Sequence, residues 1–79
     1  MHIFQNLEFT RVMPRKEGIF VFAGYSQWRH EYQFLIQPDG KIMGRTNRGL
    51  WLELSQELGS LIRERAKSIL SEEPNLIYV

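Results

Sequence analysis

Residues 38–40 read Pro-Asp-Gly, and the side chains before them alternate strictly. In HEYQFLIQ, residues 30–37, Tyr32, Phe34 and Ile36 fall on one face of an extended chain, and Glu31, Gln33, Leu35 and Gln37 on the other. Proline presets φ for the first corner of a turn and glycine supplies the positive φ of the last, so a hairpin is predicted here. Residues 41–46 form its returning strand. A lone hairpin is marginal in water, so a chain committed to one must add strands and cover a face of the sheet.

Other segments supply those strands. GIFVFAGY, residues 18–25, is a nearly continuous apolar run of aromatic and β-branched residues, the pattern of a central strand, with Phe20, Phe22 and Phe34 expected in the core. Gly24 near its end is a candidate bulge or bend. Residues 2–11 supply a further strand with Leu7 and Phe9 on one face. MPRKEG (13–18) and SQWRH (26–30) are expected to be connections. In LWLEL, residues 50–54, the leucines alternate as in a strand, while Leu50, Leu54 and Leu58 also sit at helical spacing. A short strand is the preferred reading.

From Ser55 the apolar residues Leu58, Leu61, Ile62, Ala66, Ile69 and Leu70 recur every three or four positions, the stripe of an amphipathic helix. Ser55 suits the N-cap, Glu57 the first turn, and Pro74 the residues beyond the end. Gly59 lies inside the stripe, where glycine costs about 1 kcal/mol against alanine, and a close backbone contact is expected there. NLIYV then adds a last strand or an apolar tail. The expected architecture is α+β: one domain over residues 1–79, with a small antiparallel β-sheet of about four strands and one C-terminal amphipathic helix (residues 55–71) packed on one face. Leu58, Leu61, Ile62, Ile69 and Phe34 are expected to be buried.

Seventy-nine residues, 43% of them hydrophobic, can build a core of modest size. There is no cysteine to staple it by disulfide or thiolate-bound zinc. Small domains without staples gain stability by self-association, so a homodimer is expected. The first residues lack the charged and apolar regions of a secretory signal, and no segment has the roughly 18 apolar residues of a membrane helix. A cytoplasmic protein with no membrane partner is expected.

Enzyme chemistry is poorly supplied. His2 and His30 have no partners at metal-ligand spacing, and nucleophile elbows and phosphate loops are absent from the sequence. Neither a catalytic residue, a metal ligand nor a cofactor is expected. The net charge is +1, with seven bases and four acids in residues 1–50 and three bases and five acids in 51–79. That asymmetry is far weaker than the basic signature of a dedicated nucleic-acid binder. The aromatic residues are more specific. Tyr25, Trp28, Tyr32, Phe34 and Trp51 interleave with Arg29, Lys41, Arg45 and Arg48. Rings that stack bases beside cations that track phosphates are how single-stranded nucleic acid is held. GRTNRG, residues 44–49, fits the same use: its glycines permit close approach, and Arg45 and Arg48 offer planar donor forks to phosphate. The candidate nucleic-acid-binding residues are therefore Trp28, Arg29, Lys41, Arg45, Arg48 and Trp51.

FLIQPDGKIMGR, then RGLWLEL, then SQELGSLI resembles the carboxyl-terminal half of the single-stranded-DNA-binding transcriptional coactivator family, positive cofactor four and its bacterial relatives. The resemblance spans Phe34 to about Ile62. It implies a dimer whose helices pair and whose curved sheets bind unpaired strands, with Lys41, Arg45 and Arg48 facing phosphate and Trp51 placed to stack. The chain departs from that family in lacking its lysine-rich character, in placing Trp51 where a small polar residue stands, and in extending past the helix with NLIYV. A different class is also compatible with the near-neutral charge: a protein-binding regulatory adaptor that uses an exposed sheet edge or aromatic patch.

Overall fold

The computed structural model describes residues 7–25, 31–46 and 48–79. Five strands run in sequence order across one antiparallel sheet: β1 (Glu8–Arg15), β2 (Gly18–Gly24), β3 (Glu31–Ile36), β4 (Ile42–Arg45) and β5 (Trp51–Glu53). The helix α1 (Gln56–Glu72) follows, then a single 3-10 turn at Pro74–Leu76. The sheet thus has one strand more than the four or so expected, and the middle of LWLEL, Trp51–Glu53, is a short strand, as preferred.

The turn chemistry at Pro38–Gly40 acts as its residues dictate. Gly40 takes φ 96° and donates its N–H to the Gln37 carbonyl at 3.0 Å. The Gln37 N–H reaches the Lys41 carbonyl at 2.8 Å, and Asp39 Oδ1 accepts from the Lys41 N–H at 3.0 Å. This is a three-residue hairpin loop closed by a glycine at positive φ.

Two local expectations are corrected in β1. The polar break expected over residues 13–18 contracts to Lys16 and Glu17, because β1 continues through Pro14 and Arg15, which pair with Ile19 and Gly18. Proline survives there for a geometric reason. The Val12 carbonyl points away from β2, accepting from the Tyr78 N–H at 2.9 Å. Pro14, two residues on, therefore directs its missing N–H away from β2 as well, where no ladder bond is lost. The bulge lies in β1 and not at Gly24, which simply ends β2. Phe9 pairs with Ala23 but Arg11 with Phe22, so Thr10 is the extra residue. In a regular strand Phe9 and Arg11 would share a face. The bulge separates them, leaving Phe9 in the core and Arg11 on the far side.

The core is Phe9, Val12, Val21, Ala23, Phe34 and Ile42 from the sheet against Ile62, Ala66 and Ile69 from α1. Ser55 caps the helix as expected, its Oγ accepting from the Leu58 N–H at 3.3 Å. The buried arc is narrower than the apolar stripe: Leu61 and Leu70 are 39% and 37% exposed and Leu58 is half-buried. One helix on one sheet buries an arc centred on Gly59, Ile62, Ala66 and Ile69, and the flanking leucines lie beyond it. After α1 the tail returns to the sheet, where Ile77 forms a parallel bridge with Val12. The outer edge of β1 is thereby covered at its middle.

Gly59 faces Ile42, and a Cβ built on it would lie 3.5 Å from Ile42 Cδ1, an ordinary van der Waals distance. The close approach expected at this position leaves room for one methyl. Gly59→Ala is accordingly expected to stabilise the fold by roughly 1 kcal/mol through helix propensity. For a domain of this size that raises Tm by about 4–8 °C. Thermal unfolding followed by circular dichroism checks it; a lowered Tm would mean that helix and β4 pack more tightly than this separation.

Candidate nucleic-acid interface

The sheet has two faces and the helix occupies one. In β2, Val21 and Ala23 point into the core, so Phe20 and Phe22 point the other way. This corrects the expectation that all three phenylalanines Phe20, Phe22 and Phe34 are core: only Phe34 is. An apolar run on a central strand suggests cover on both sides, yet among the described residues nothing is layered over the face carrying Phe20 and Phe22.

Cross-strand pairing arranges that open face in two rows. One runs Met13, Phe20, Leu35, Met43 and Glu53 across β1 to β5. The other runs Arg11, Phe22 and Gln33, and continues through Arg45 to Trp51. Gln33 and Arg45 are joined by a hydrogen bond, Nη1 donating to Oε1 at 3.2 Å. The first row is almost wholly apolar. The second alternates cation, ring, amide, cation and ring. Phe20 and Trp51 approach to 6.3 Å between centroids at 60°, although two strands separate β2 from β5. Three strand spacings amount to about 14 Å, so the two rings lean toward each other across β3 and β4.

Each arginine of the second row lies against a ring. The Arg11 guanidinium sits 4.1 Å from the Phe22 centroid and that of Arg45 5.8 Å from the Trp51 centroid. Their charges are differently placed. Arg11 forms an ion pair with Glu31 at 3.2 Å, and Glu31 also accepts from Thr10 Oγ1 at 2.8 Å. Among the described residues Arg45 has no carboxylate partner; its neighbours are Gln33, the Trp51 ring and Gly49, whose absent side chain leaves Arg45 Nη2 3.4 Å from the position of a Cβ. Its positive charge is therefore available to an anion.

The loop in GRTNRG is a hairpin tip joining β4 to β5. Thr46 braces it: its carbonyl accepts from the Gly49 N–H at 2.9 Å, its Oγ1 from the Leu50 N–H at 3.1 Å, and its own N–H reaches the Leu50 carbonyl at 2.8 Å. Arg48 is exposed at the tip, three positions beyond Arg45. The structure thus brings Arg45, Arg48 and Trp51 to one end of the sheet. Lys41 is not with them. It stands at the opposite end of β4, about 13 Å from Arg45 at strand rise. There it borders an open depression of about 400 Å³ with Asp39, Glu53 and Arg63. Trp28 and Arg29, with both histidines, lie outside the described residues. Tyr32 packs against the core, edge-on to Tyr25 at 6.2 Å between centroids, and burial, then the neighbouring Tyr32, raises the Tyr25 phenol above its usual pKa.

Phe20, Phe22, Gln33 and Arg11 belong to this face and are not among the candidate binding residues that the sequence offers. The signal was available for two of them: in GIFVFAGY the large rings occupy alternate positions, so both had to share a face. Arg11 is legible only through the bulge at Thr10. Among the described residues no three acidic or histidine side chains gather as a metal site, and no helix is long and apolar enough to cross a membrane. Comparison with protein-family models, with curated proteins and with solved structures finds no match to this chain.

Proposed function

We propose that the protein is a single-stranded nucleic-acid-binding module that holds unpaired DNA or RNA on the open face of its sheet. The observation that carries this reading is the row Arg11–Phe22–Gln33–Arg45–Trp51, in which rings and cations alternate on a face left bare by the helix. Phe22 and Trp51 supply π-faces for bases, Arg45 and Arg48 supply phosphate contacts, and the Gln33 amide can meet a base edge. The hairpin, basic loop, strand and helix succeed one another as the resemblance to the single-stranded-DNA-binding coactivators implies, which supports a transcription-related role. The homodimer and the cytoplasmic location expected from the sequence belong to the same reading.

Because Glu31 neutralises Arg11, stacking contributes more to affinity here than counterion release. Two phosphate contacts, from Arg45 and Arg48, give a slope of log K against log salt of about −1.4 on a single strand. Arg45→Ala and Arg48→Ala are each expected to reduce its magnitude by about 0.7 and to weaken binding uniformly across unrelated sequences. Stability is expected to change by less than about 1 kcal/mol, since both side chains are exposed. Fluorescence anisotropy with a short labelled oligonucleotide, titrated at several salt concentrations, measures this. Wild-type protein that does not bind at low salt, or arginine variants with an unchanged slope, would refute the reading. Salt-independent capture of a protein from nuclease-treated lysate would favour the adaptor.

A further inference from the structure

The sheet has two edges and they are treated differently. The tail closes on β1 through the Ile77–Val12 bridge and the Tyr78 N–H to Val12 carbonyl bond. β5 has no neighbour among the described residues on its outer side. Natural edge strands are usually blunted by lysine, proline or a bulge. LWLEL contains no lysine or proline, Glu53 is its one charge, and Leu50 and Leu52 stand 61% and 57% exposed. Both project to the helix side of the sheet, because Leu52 pairs with Gly44, whose Cβ direction points at Leu54 and Phe34.

The backbone of β5 is equally ready to pair. The Leu54 N–H donates to the Ile42 carbonyl and the Leu50 carbonyl accepts from the Thr46 N–H, so the even-numbered residues bond to β4. Antiparallel ladders alternate, which turns the N–H and C=O of Trp51 and Glu53 toward the open edge. The segment is also nearly palindromic about Leu52: leucine at 50, 52 and 54, with Trp51 and Glu53 between.

We propose that the partner for this edge is a second copy of the same chain, joined by antiparallel pairing of β5 with β5 about a two-fold axis at Leu52. In that register Trp51 exchanges both backbone hydrogen bonds with Glu53 of the other copy, using the four groups that face outward. Leu52 meets Leu52 in the closer, non-hydrogen-bonded pairing, and Leu50 meets Leu54. A register centred on Glu53 would set like charges directly opposite, and one centred on Trp51 would draw the turn residue Gly49 into the ladder. The pairing joins two sheets into one of ten strands. It brings both Arg45–Trp51 ends together on its open face, so that a single strand could run from one copy to the next. The pairing itself does not depend on nucleic-acid binding.

The test is sedimentation equilibrium of nuclease-treated protein from 1 to 100 μM, without oligonucleotide. Wild type is expected at about twice the 9.4 kDa of one chain. Glu53→Pro removes an N–H that faces the open edge and leaves the β4–β5 bonds in place, and Leu52→Lys puts a charge on the pairing axis. Each is expected to raise the dimer dissociation constant at least tenfold with an unchanged far-ultraviolet circular dichroism spectrum. Phe22→Ala, on the open face, is expected to remain dimeric. A wild type that stays monomeric at 100 μM would overturn the proposal. So would folded edge variants that dimerise as tightly as wild type, or a Phe22→Ala protein that is monomeric.

Discussion

Replacing Phe34 by alanine is expected to lower the unfolding free energy by about 3–5 kcal/mol. Phe34 is 3% exposed and occupies the middle of the central strand β3, facing Val21 on one side and Gly44 on the other. Gly44 has no side chain, and Leu54 packs into the space above it. The ring is therefore surrounded by small or already committed groups that cannot collapse into the volume it would vacate. Phenylalanine-to-alanine changes at such sites cost about 3–5 kcal/mol. A domain of this length has roughly 4–12 kcal/mol in total, so the change removes a large part of it. Urea unfolding at 25 °C would show the midpoint falling at unchanged slope, or no folded baseline at all. A loss below about 1.5 kcal/mol would mean that Phe34 is not the centre of the core. Phe34→Leu, which keeps most of the volume, is expected to remain folded.

The double variant Phe22→Ala, Trp51→Ala is expected to lose the most binding. Each stacked base is worth about 1–3 kcal/mol, so removing both rings lowers affinity for a short oligonucleotide by roughly thirtyfold or more. The two rings also carry Arg11 and Arg45 on their faces, and without them the guanidinium groups lose their stacking partners. Unlike the arginine variants, this one is expected to leave the salt slope nearly unchanged, because no phosphate contact is deleted. Both rings are half-buried and outside the core, so the variant should stay folded, which circular dichroism would verify beside the anisotropy. Affinity within threefold of wild type would remove the open face from the binding site. A folded variant with a flattened salt slope would instead mean that the rings serve only to position the arginines.

Much of this molecule is determined by residues acting within a few positions of one another. Pro38–Gly40 makes its turn because proline and glycine bias φ whatever surrounds them. Ser55 caps α1, and alternation in residues 30–37 sorts Phe34 from Leu35, because strand and helix periods are properties of the backbone. LWLEL was ambiguous between those periods. The β4 ladder decided it, since Gly44 and Ile42 offered pairing that an isolated five-residue segment cannot supply for itself.

What tertiary structure alone decided is which apolar surface is covered. Alternation in GIFVFAGY says that Val21 and Ala23 oppose Phe20 and Phe22, but both sets are apolar, and hydrophobicity does not say which one meets the helix. Packing selects the smaller pair, so that Ile62, Ala66 and Ile69 can approach the sheet closely, and the large rings are left outside. The same holds for Leu61, which the helical period places beside Ile62 but which a single sheet cannot also cover. The bulge at Thr10 has no signature among its neighbours in sequence. It follows from the need to bury both Phe9 and Val12, an odd number of residues apart, on one face of a strand whose period is two. That requirement is met by one extra residue, and it is what carries Arg11 across to the open face and onto the Phe22 ring.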